Sequence, residues 1–293
     1  MIETLRPPQN IRREIVDVPC GDTTLALHVW KPERIKGAVF YFHGLQSHAG
    51  WLWEVGPRFA DNDIAFFVLD RRGSGISPGP RGEIPDADTV LGDYAQAVAF
   101  VRAMIGDTVP LSLFGHCLGG SFMAALMCHE EFTTSYDAAV FCSAWLGRMH
   151  ATLDADARRA IAADRDEQVW DAGLKAGDFT DEVKYQHFID HDDLAVRQLT
   201  RRSRAVLLDL EQRYLTGGPT TAPVPAATFV SGITDPIVDL DAAQSVFQDL
   251  VAGRGALMQF PTDRHYLFYT DVSDDLVDWT STYTLLQGVN RGV

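Results

Sequence analysis

The sequence predicts an α/β protein with a mostly parallel, twisted sheet flanked by helices. Three observations support this fold class. Short continuous apolar runs alternate with segments of helical periodicity. One of these runs ends in a glycine-framed turn that leads into a helix, and two late runs are each followed by a loop with a titratable side chain. Strands that alternate with helices are typical of parallel sheets with right-handed crossovers.

The elements follow in order along the chain. Residues 15–18 and 25–30, separated by Gly21-Asp22, predict an antiparallel hairpin. Further strands are predicted at 38–42, 64–70, from 111 to the glycine-framed turn, 138–142, 227–232 and 256–260. Helices are predicted at 51–59, 86–104, 241–250 and 272–286, with another directly after the glycine-framed turn.

Residues 145–218 interrupt this alternation. They hold no convincing strand but at least two helical stretches, which indicates an insertion. We therefore expect a core domain formed by residues 1–144 and 219–293, with 145–218 as a helical lid.

The stronger helix of the insertion is predicted at 192–215. Its apolar stripe comprises Ala195, Leu199, Val206 and Leu210. The same stretch carries the basic cluster Arg197, Arg201, Arg202 and Arg204. We interpret this cluster as a solvated helix face, because clustered charge on an amphipathic helix usually faces water.

Composition narrows the classes of function. The chain has 293 residues, 46% of them hydrophobic, and a formal net charge of −15. Without a basic face it is a poor partner for nucleic acid, and it is repelled by acidic surfaces. Residues 1–8 do not read as a signal peptide and no run is long enough to span a bilayer, so we expect a cytoplasmic protein without stable membrane insertion.

The four cysteines show neither metal-ligand spacing nor disulfide density. We expect Cys20, Cys128 and Cys142 to be buried thiols, and we expect no metal and no cofactor. Cys117 differs, because it stands at the centre of Gly-His-Cys-Leu-Gly at 115–119. A strand, a tight turn around one reactive side chain and a helix form a nucleophile elbow. A Cβ at Gly115 or Gly119 would collide with neighbouring atoms, and the helix N-terminus favours the thiolate of Cys117.

A cysteine nucleophile needs a base and a group that orients the base. Loops after two late strands supply Asp235 and His265, in the chain order nucleophile, acid, histidine. Asp239 competes with Asp235, and His116 competes with His265. We favour Asp235 because it lies in the loop directly after its strand. We interpret His116 and His43 as structural, and residues 71–79 as a tight surface connection rather than a phosphate-binding loop.

Five features together resemble the α/β-hydrolase superfamily over essentially the whole chain. They are Gly-His-Cys-Leu-Gly-Gly at 115–120, His-Gly-Leu at 43–45, Asp-Arg-Arg-Gly-Ser-Gly-x-Ser from Asp70, Gly-x-x-Asp-x-x-Val from Gly232, and the late His265. Within the superfamily the chain is similar to the monoacylglycerol lipase and lysophospholipase branch, also described as serine aminopeptidase-like.

The resemblance implies a role for each matching position. Cys117 would be the nucleophile, His265 the general base and then acid, and Asp235 the orienting carboxylate. The backbone N–H groups of Leu45 and Leu118 would form the oxyanion hole. Residues 145–218 stand where that family carries its lid.

The cysteine departs from the serine that most members use. Attack by a thiol on an ester or amide gives a thioester, which is higher in free energy than either. Attack on a thioester of coenzyme A or a carrier protein is nearly thermoneutral. Our leading hypothesis is hydrolysis of an ester, thioester or lactone of a small-molecule acyl substrate. The alternatives are an acyltransferase or cyclase and, from another class, a non-catalytic binding protein. A cysteine engineered in place of serine would give the same sequence.

Aromatic residues near the predicted site are candidates for an apolar acyl pocket. They are Trp51, Trp53, Trp145 and Tyr266. The sequence is equally compatible with core positions for each of them, and it does not indicate an oligomeric state.

Overall fold

A computed structural model describes residues 11–164, 166–218 and 226–289. Residues 1–8, on which the prediction about a signal peptide depends, lie outside these ranges. So does residue 219, the start of the second predicted core segment.

The strands are β1 (Glu14–Cys20), β2 (Thr23–Trp30), β3 (Gly37–Phe42), β4 (Ile64–Leu69), β5 (Leu111–His116), β6 (Ala138–Cys142), β7 (Val169–Asp171), β8 (Gln198–Thr200), β9 (Ala226–Ser231) and β10 (Ala256–Gln259). The α-helices are α1 (Val55–Asp61), α2 (Ala87–Ile105), α3 (Leu118–Met127), α4 (Arg148–Thr152), α5 (Ala155–Ala163), α6 (Ala176–Phe179), α7 (Val183–His191), α8 (Arg201–Thr216), α9 (Leu240–Leu250) and α10 (Ser273–Val289).

Within the described residues the main sheet has eight strands in the order β1-β2-β4-β3-β5-β6-β9-β10. The pairs β1–β2 and β2–β4 are antiparallel, and all pairs from β4 to β10 are parallel. The predicted α/β fold with a mostly parallel sheet is therefore confirmed. Because β3 to β6, β9 and β10 run in one direction, their carboxyl ends and the loops after them meet at one edge of the sheet.

Burial explains the composition of the central strands. Every residue of β3, β4, β5 and β6 is buried. Strands covered by helices on both faces need continuous apolar runs instead of alternation. The ends of α2 follow local signals: the Asp86 side chain accepts a hydrogen bond from the Thr89 N–H, and Gly106 ends the helix at φ +78°.

The predicted helix at 51–59 is divided in two. Residues Ala49–Leu52 form a 3-10 turn, and α1 begins only at Val55. Pro57 is the third residue of α1. Its missing N–H is harmless in a first turn but would break a helix that had started at residue 51.

Helices α4 to α8 and the antiparallel pair β7–β8 lie between β6 and β9. The expectation of no strand in residues 145–218 is therefore wrong, because two three-residue strands, too short to give a pattern in the sequence, pair with each other there. The helix predicted at 192–215 begins nine residues later than expected. Thr200 caps α8 by accepting a hydrogen bond from the Ser203 N–H. The residues before α8 lie against the core instead, since the Val196 N–H donates to the Gln46 carbonyl oxygen at 3.2 Å. The division of the chain into core and lid remains a prediction.

Candidate active site

Cys117 occupies the sharp turn between β5 and α3. Its backbone has φ +52° and ψ −126°, a conformation that residues other than glycine seldom adopt. Its N–H donates to the Cys142 carbonyl oxygen at 3.1 Å, and its own carbonyl oxygen accepts from the Gly120 N–H at 2.9 Å. These contacts hold the strained backbone, so the thiol is fixed at the first turn of α3 with only 3% of the residue exposed.

The glycines around Cys117 are required by close packing. A Cβ at Gly115 would lie 2.7 Å from the Gly120 Cα, and one at Gly119 would overlap the Phe42 carbonyl oxygen. The predicted collisions at both positions are therefore confirmed. Only glycine lets strand, turn and helix approach this closely.

His265 and Asp235 meet at the same edge of the sheet. Nδ1 of His265 lies 2.8 Å from Oδ2 and 3.0 Å from Oδ1 of Asp235. Oδ1 also accepts from the N–H groups of Ile237 and Val238 at 2.8 and 2.9 Å. Burial alone would raise the pKa of the Asp235 carboxyl, but His265 and the two backbone donors outweigh it and lower the pKa to about 2.

Nε2 of His265 is buried and has no hydrogen-bond partner among the described residues. The Cys117 thiol lies beside the same ring. Burial disfavours the imidazolium, yet the Asp235 carboxylate and the Cys117 sulfur outweigh burial and raise the pKa of His265 above its ordinary value. The structure thus brings together the three residues that the sequence selected, with Nε2 left available for the thiol proton.

The two competing residues have other partners. Asp239 caps α9, where its side chain accepts from the Ala242 N–H at 3.1 Å. His116 is buried, and its Nε2 donates to the His265 carbonyl oxygen at 3.3 Å. Burial, with a further contribution from His265, lowers the pKa of His116 to about 3. A histidine held neutral in this way fits the structural role that the sequence suggested.

The loop after β3 lies directly against Cys117. A Cβ at Gly44 would lie 3.2 Å from the Cys117 Cβ. In the described part of the chain, the N–H groups of Leu45 and Leu118 donate to no other residue. This leaves both N–H groups without a protein acceptor, and their role in an oxyanion hole remains a prediction.

Arg71 holds this loop in place, and the sequence reasoning missed it. Its guanidinium donates to the carbonyl oxygens of His43 at 3.2 Å and Leu45 at 2.9 Å. Arg71 and Asp70 are buried, so the interpretation of residues 71–79 as a surface connection is wrong at its start. The available signal was that Arg71 follows a buried parallel strand and so reaches the same sheet edge as Cys117.

The four predicted pocket aromatics are mostly packed against other residues. Trp51 is fully buried with its indole N–H donated to Asp192 at 2.7 Å, and Tyr266 is fully buried with its ring 4.6 Å from that of His116. Trp53 is half-buried, with its ring 4.7 Å from Phe188. Trp145 borders a cavity of about 160 Å³. Their roles in substrate binding remain predictions.

Part of the segment between β6 and β9 packs against the loop that carries His265. The N–H groups of His265 and Tyr266 donate to the carbonyl oxygens of Asp178 and Phe179 in α6, at 3.2 and 3.0 Å. The Phe179 ring packs edge-on to the His265 imidazole, with 5.8 Å between their centroids. These contacts help to bury His265 completely.

The remaining cysteines are free thiols. Cys20 and Cys142 are buried as predicted, and burial raises the pKa of Cys20 to about 12. Cys128 is only half-buried, which corrects the expectation for that residue. It is the residue directly after α3, all of whose own residues are buried.

Fold and site geometry define a protein of the α/β-hydrolase class. The sequence profile of the family described as serine aminopeptidase, S33, matches residues 33–271. The chain belongs to this family, which confirms the resemblance at the family level.

Comparison with individual proteins gives shorter matches. An uncharacterized abhydrolase domain-containing protein of Dictyostelium discoideum is 35% identical over 99 residues, which are 33% of this chain and 10% of that protein. A monoacylglycerol lipase of Mycolicibacterium smegmatis is 31% identical over 106 residues, 36% of this chain and 38% of that protein. The matches thus span a tenth to about two fifths of these curated relatives.

A solved structure extends the likeness of fold to nearly the full chain. A soluble variant of the monoglyceride lipase from Saccharomyces cerevisiae, in complex with a substrate analogue, has a TM-score of 0.78 at 16% identity. The match covers 96% of this chain and 98% of that one. The helices within the described ranges include none that is long and apolar enough to cross a membrane.

Proposed function

We propose that the chain is an enzyme that forms a covalent acyl thioester on Cys117 and passes the acyl group to water. The observation that carries this proposal is the paired geometry of the site. Nδ1 of His265 is bound to Asp235 while the Cys117 thiol, in a strained elbow, lies beside the same ring. A nucleophile, a base and a group that orients the base are the parts that acyl transfer through a covalent intermediate requires.

In this proposal Nε2 of His265 takes the proton from the Cys117 thiol as sulfur attacks the substrate carbonyl carbon. The carbonyl π electrons move to oxygen, and the N–H groups of Leu45 and Leu118 stabilise the oxyanion, each contributing about 3 kcal/mol. The oxyanion then collapses, the bond to the leaving group breaks, and His265 returns the proton to that group. Water, deprotonated by His265, resolves the thioester and regenerates the thiol.

The environment of Cys117 favours an apolar acyl group. The thiol joins the apolar core, which includes Leu45, Leu118 and Trp145. The Mycolicibacterium smegmatis relative is named as a monoacylglycerol lipase, and this supports an ester of a fatty acyl chain as one substrate class. A thioester is the second class, because thioester exchange with Cys117 is nearly thermoneutral.

Transfer to an alcohol or amine is the second candidate function. The closed site favours it, since Cys117 is 3% exposed and His265 is fully buried beneath α6. Exclusion of water protects an acyl intermediate from hydrolysis and leaves it for another acceptor. The donor would be a thioester of coenzyme A or of a carrier protein, and an acceptor within the acyl chain would give a cyclic product.

Intact-mass measurement tests both candidates. The protein is incubated with activated oxygen esters and with acyl N-acetylcysteamine thioesters, with and without an added amine, and Cys117→Ala serves as the control. We expect one acyl adduct on the wild-type chain and none on Cys117→Ala. Release of free acid alone supports hydrolysis, and amide formation well above the uncatalysed rate supports transfer. Absence of an adduct and of turnover with every donor would refute the enzymatic proposal.

A further inference from the structure

A cavity of about 160 Å³ lies in the segment between β6 and β9. Its walls include Trp145, Arg148, Leu153, Trp170, Leu174 and Arg204. The Arg148 guanidinium lies over the Trp145 ring at 4.6 Å, and that of Arg204 lies over the Trp170 ring at 4.7 Å. Stacking on an indole fixes the plane of a guanidinium and leaves its edge free for hydrogen bonds.

Arg204 forms no ion pair with a carboxylate among the described residues, unlike other arginines of α8, and the nearby charge that acts on it is that of Asp164. Arg213 binds Asp88 at 2.6 Å and Asp209 at 3.2 Å, and Arg202 binds Glu83. In the described ranges Arg204 forms no hydrogen bond and no ion pair, and its buried Nε has no partner. Arg204 is half-buried, which corrects its assignment to a solvated helix face.

Arg148, on the opposite wall, is also without a carboxylate among the described residues. Its guanidinium donates a hydrogen bond to the Ile237 carbonyl oxygen. The chain carries 40 acidic and 25 basic residues besides histidine. Two guanidinium groups that face one cavity without an acid are therefore unexpected, unless an anion from outside the chain completes the site.

The cavity walls are connected to all three residues of the candidate triad. The backbone N–H of Trp145 donates to the Cys117 carbonyl oxygen at 2.8 Å. Arg148 binds Ile237, whose N–H donates to Asp235. Leu174 comes two residues before α6, which accepts the hydrogen bond from the His265 N–H. These hydrogen bonds connect the walls of the cavity to the elements that carry the candidate triad.

We propose that this cavity binds an anionic group of the substrate, a carboxylate or a phosphate, between the guanidinium groups of Arg148 and Arg204. This inference rests on the proposed function, because it assigns a substrate class to the same site. A volume of 160 Å³ corresponds to about five water molecules at roughly 30 Å³ each, which suits a carboxylate or phosphate but not a fatty chain. A neighbouring cavity of about 290 Å³ shares Trp170 and Arg204 but is also lined by Asp164 and Asp171, so the smaller cavity is the one assigned to the anionic group.

Matched substrates test the proposal by their kcat/KM. One pair is the N-acetylcysteamine thioester of adipic acid and that of its monomethyl ester, which differ in a terminal carboxylate. The other pair is one neutral acyl chain on coenzyme A and on N-acetylcysteamine, which differ in the phosphates of the leaving group. In one of the two pairs, we expect kcat/KM to be at least tenfold higher for the anionic member. A preference in the adipic acid pair identifies a carboxylate site, and one in the coenzyme A pair identifies a phosphate site.

Arg204→Gln should reduce this preference to below threefold while changing kcat/KM for the neutral member by less than threefold, and Arg148→Gln should reduce the preference as well. Arg213→Gln, on the same helix but paired with carboxylates, should keep the preference. Midpoints of urea unfolding verify that each variant folds, and Arg204→Lys, which keeps the charge, should restore part of the preference. No preference in either pair, or a preference that survives both glutamine variants, overturns the proposal.

A binding measurement separates this inference from the proposed chemistry. Glutarate and inorganic phosphate are titrated by calorimetry into Cys117→Ala and into Cys117→Ala/Arg204→Gln. We expect one of the anions to bind the first protein and to bind the second at least tenfold more weakly. If this holds while no ester acylates the wild-type chain, the anion site stands and the proposed function fails. If the wild-type chain is acylated but neither anion binds, the anion site fails.

Discussion

Asp192 and His48 form a buried hydrogen bond of 3.0 Å that joins the segment between β6 and β9 to the loop after β3. Nδ1 of His48 accepts from the Gly50 N–H, so Nε2 carries the proton and donates to the carboxylate. Trp51 donates its indole N–H to the same oxygen at 2.7 Å. Together with the bond from Val196 to Gln46, these contacts hold the segment between β6 and β9 against the loop after β3. If this segment is the predicted lid, they keep it closed.

Asp192→Asn should loosen this closure. In this variant an NH₂ group replaces one of the two carboxylate oxygens. If the NH₂ group faces His48 and Trp51, donors meet donors; if the amide oxygen faces them, it accepts more weakly than a carboxylate does. We expect Cys117 to be alkylated by iodoacetamide about tenfold faster, with the modified peptide identified by mass spectrometry. Asp193→Asn is the matched control, because that neighbour is exposed. Equal alkylation rates in the two variants would show that Asp192 does not hold the lid closed.

The sequence predicted the elbow and the positions of the main-sheet strands along the chain because both depend on local patterns. Gly115, Cys117 and Gly119 lie within five residues, and the apolar runs of the central strands are continuous. Asp192 and Arg71 were missed for the opposite reason. Their partners His48 and Leu45 are 144 and 26 residues away in the chain. The position of Arg71 after a buried strand indicates which edge of the sheet it reaches, but no local pattern identifies either partner.

The late start of α8 has a related cause. Ala195 and Leu199 have helical spacing with Val206, and both are buried. They are buried because Val196 bonds to the core loop at Gln46 and Gln198–Thr200 pair with β7, not because they extend the helix. Periodicity detects burial, and a tertiary contact can produce the same spacing without a helix.

Asp235→Asn should distinguish the two candidate acids. An amide at this position accepts the Nδ1 hydrogen bond poorly and stabilises the imidazolium much less, so we expect acylation of Cys117 to slow by about 10³- to 10⁴-fold. Asp239→Ala should leave the rate within about twofold and instead destabilise the fold by about 1 kcal/mol, since it removes the cap of α9. Single-turnover acylation and urea unfolding measure the two effects. A slow Asp239→Ala protein with normal Asp235→Asn kinetics would reverse the assignment.

Gly119→Ala should prevent folding or lower the free energy of unfolding by about 3 kcal/mol or more, because the new Cβ overlaps the backbone of Phe42 and cannot be relieved by a rotamer change. Gly92→Ala is the matched control. Gly92 lies inside α2, where an added Cβ has no atom within 4 Å, so alanine should stabilise the helix by about 0.5–1 kcal/mol. Urea unfolding of the two variants should give changes of opposite sign. Similar effects would contradict the steric explanation of the elbow glycines.

His116 should make the fold sensitive to mild acid. Burial, and secondarily His265, lowers its pKa from 6.5 to about 3 in the folded chain. The unfolded chain therefore binds more protons between these values, and the free energy of unfolding falls as pH drops through this window, by up to about 1.4 kcal/mol per pH unit. His43, whose pKa is also lowered by burial and by Arg71, adds a slope that is common to wild type and variant.

His116→Phe should therefore give a flatter pH profile. The ring still packs between Tyr41 and Tyr266, but the hydrogen bond to the His265 carbonyl is lost, at about 1 kcal/mol. The variant should be less stable at pH 7.5, and between pH 7.5 and pH 5 it should lose about 2 kcal/mol less than the wild-type chain. The two curves of unfolding free energy, measured in urea, should then cross near pH 6. Parallel curves would mean that His116 takes up its proton in the folded chain, and exposed His187→Phe controls for the loss of an imidazole as such.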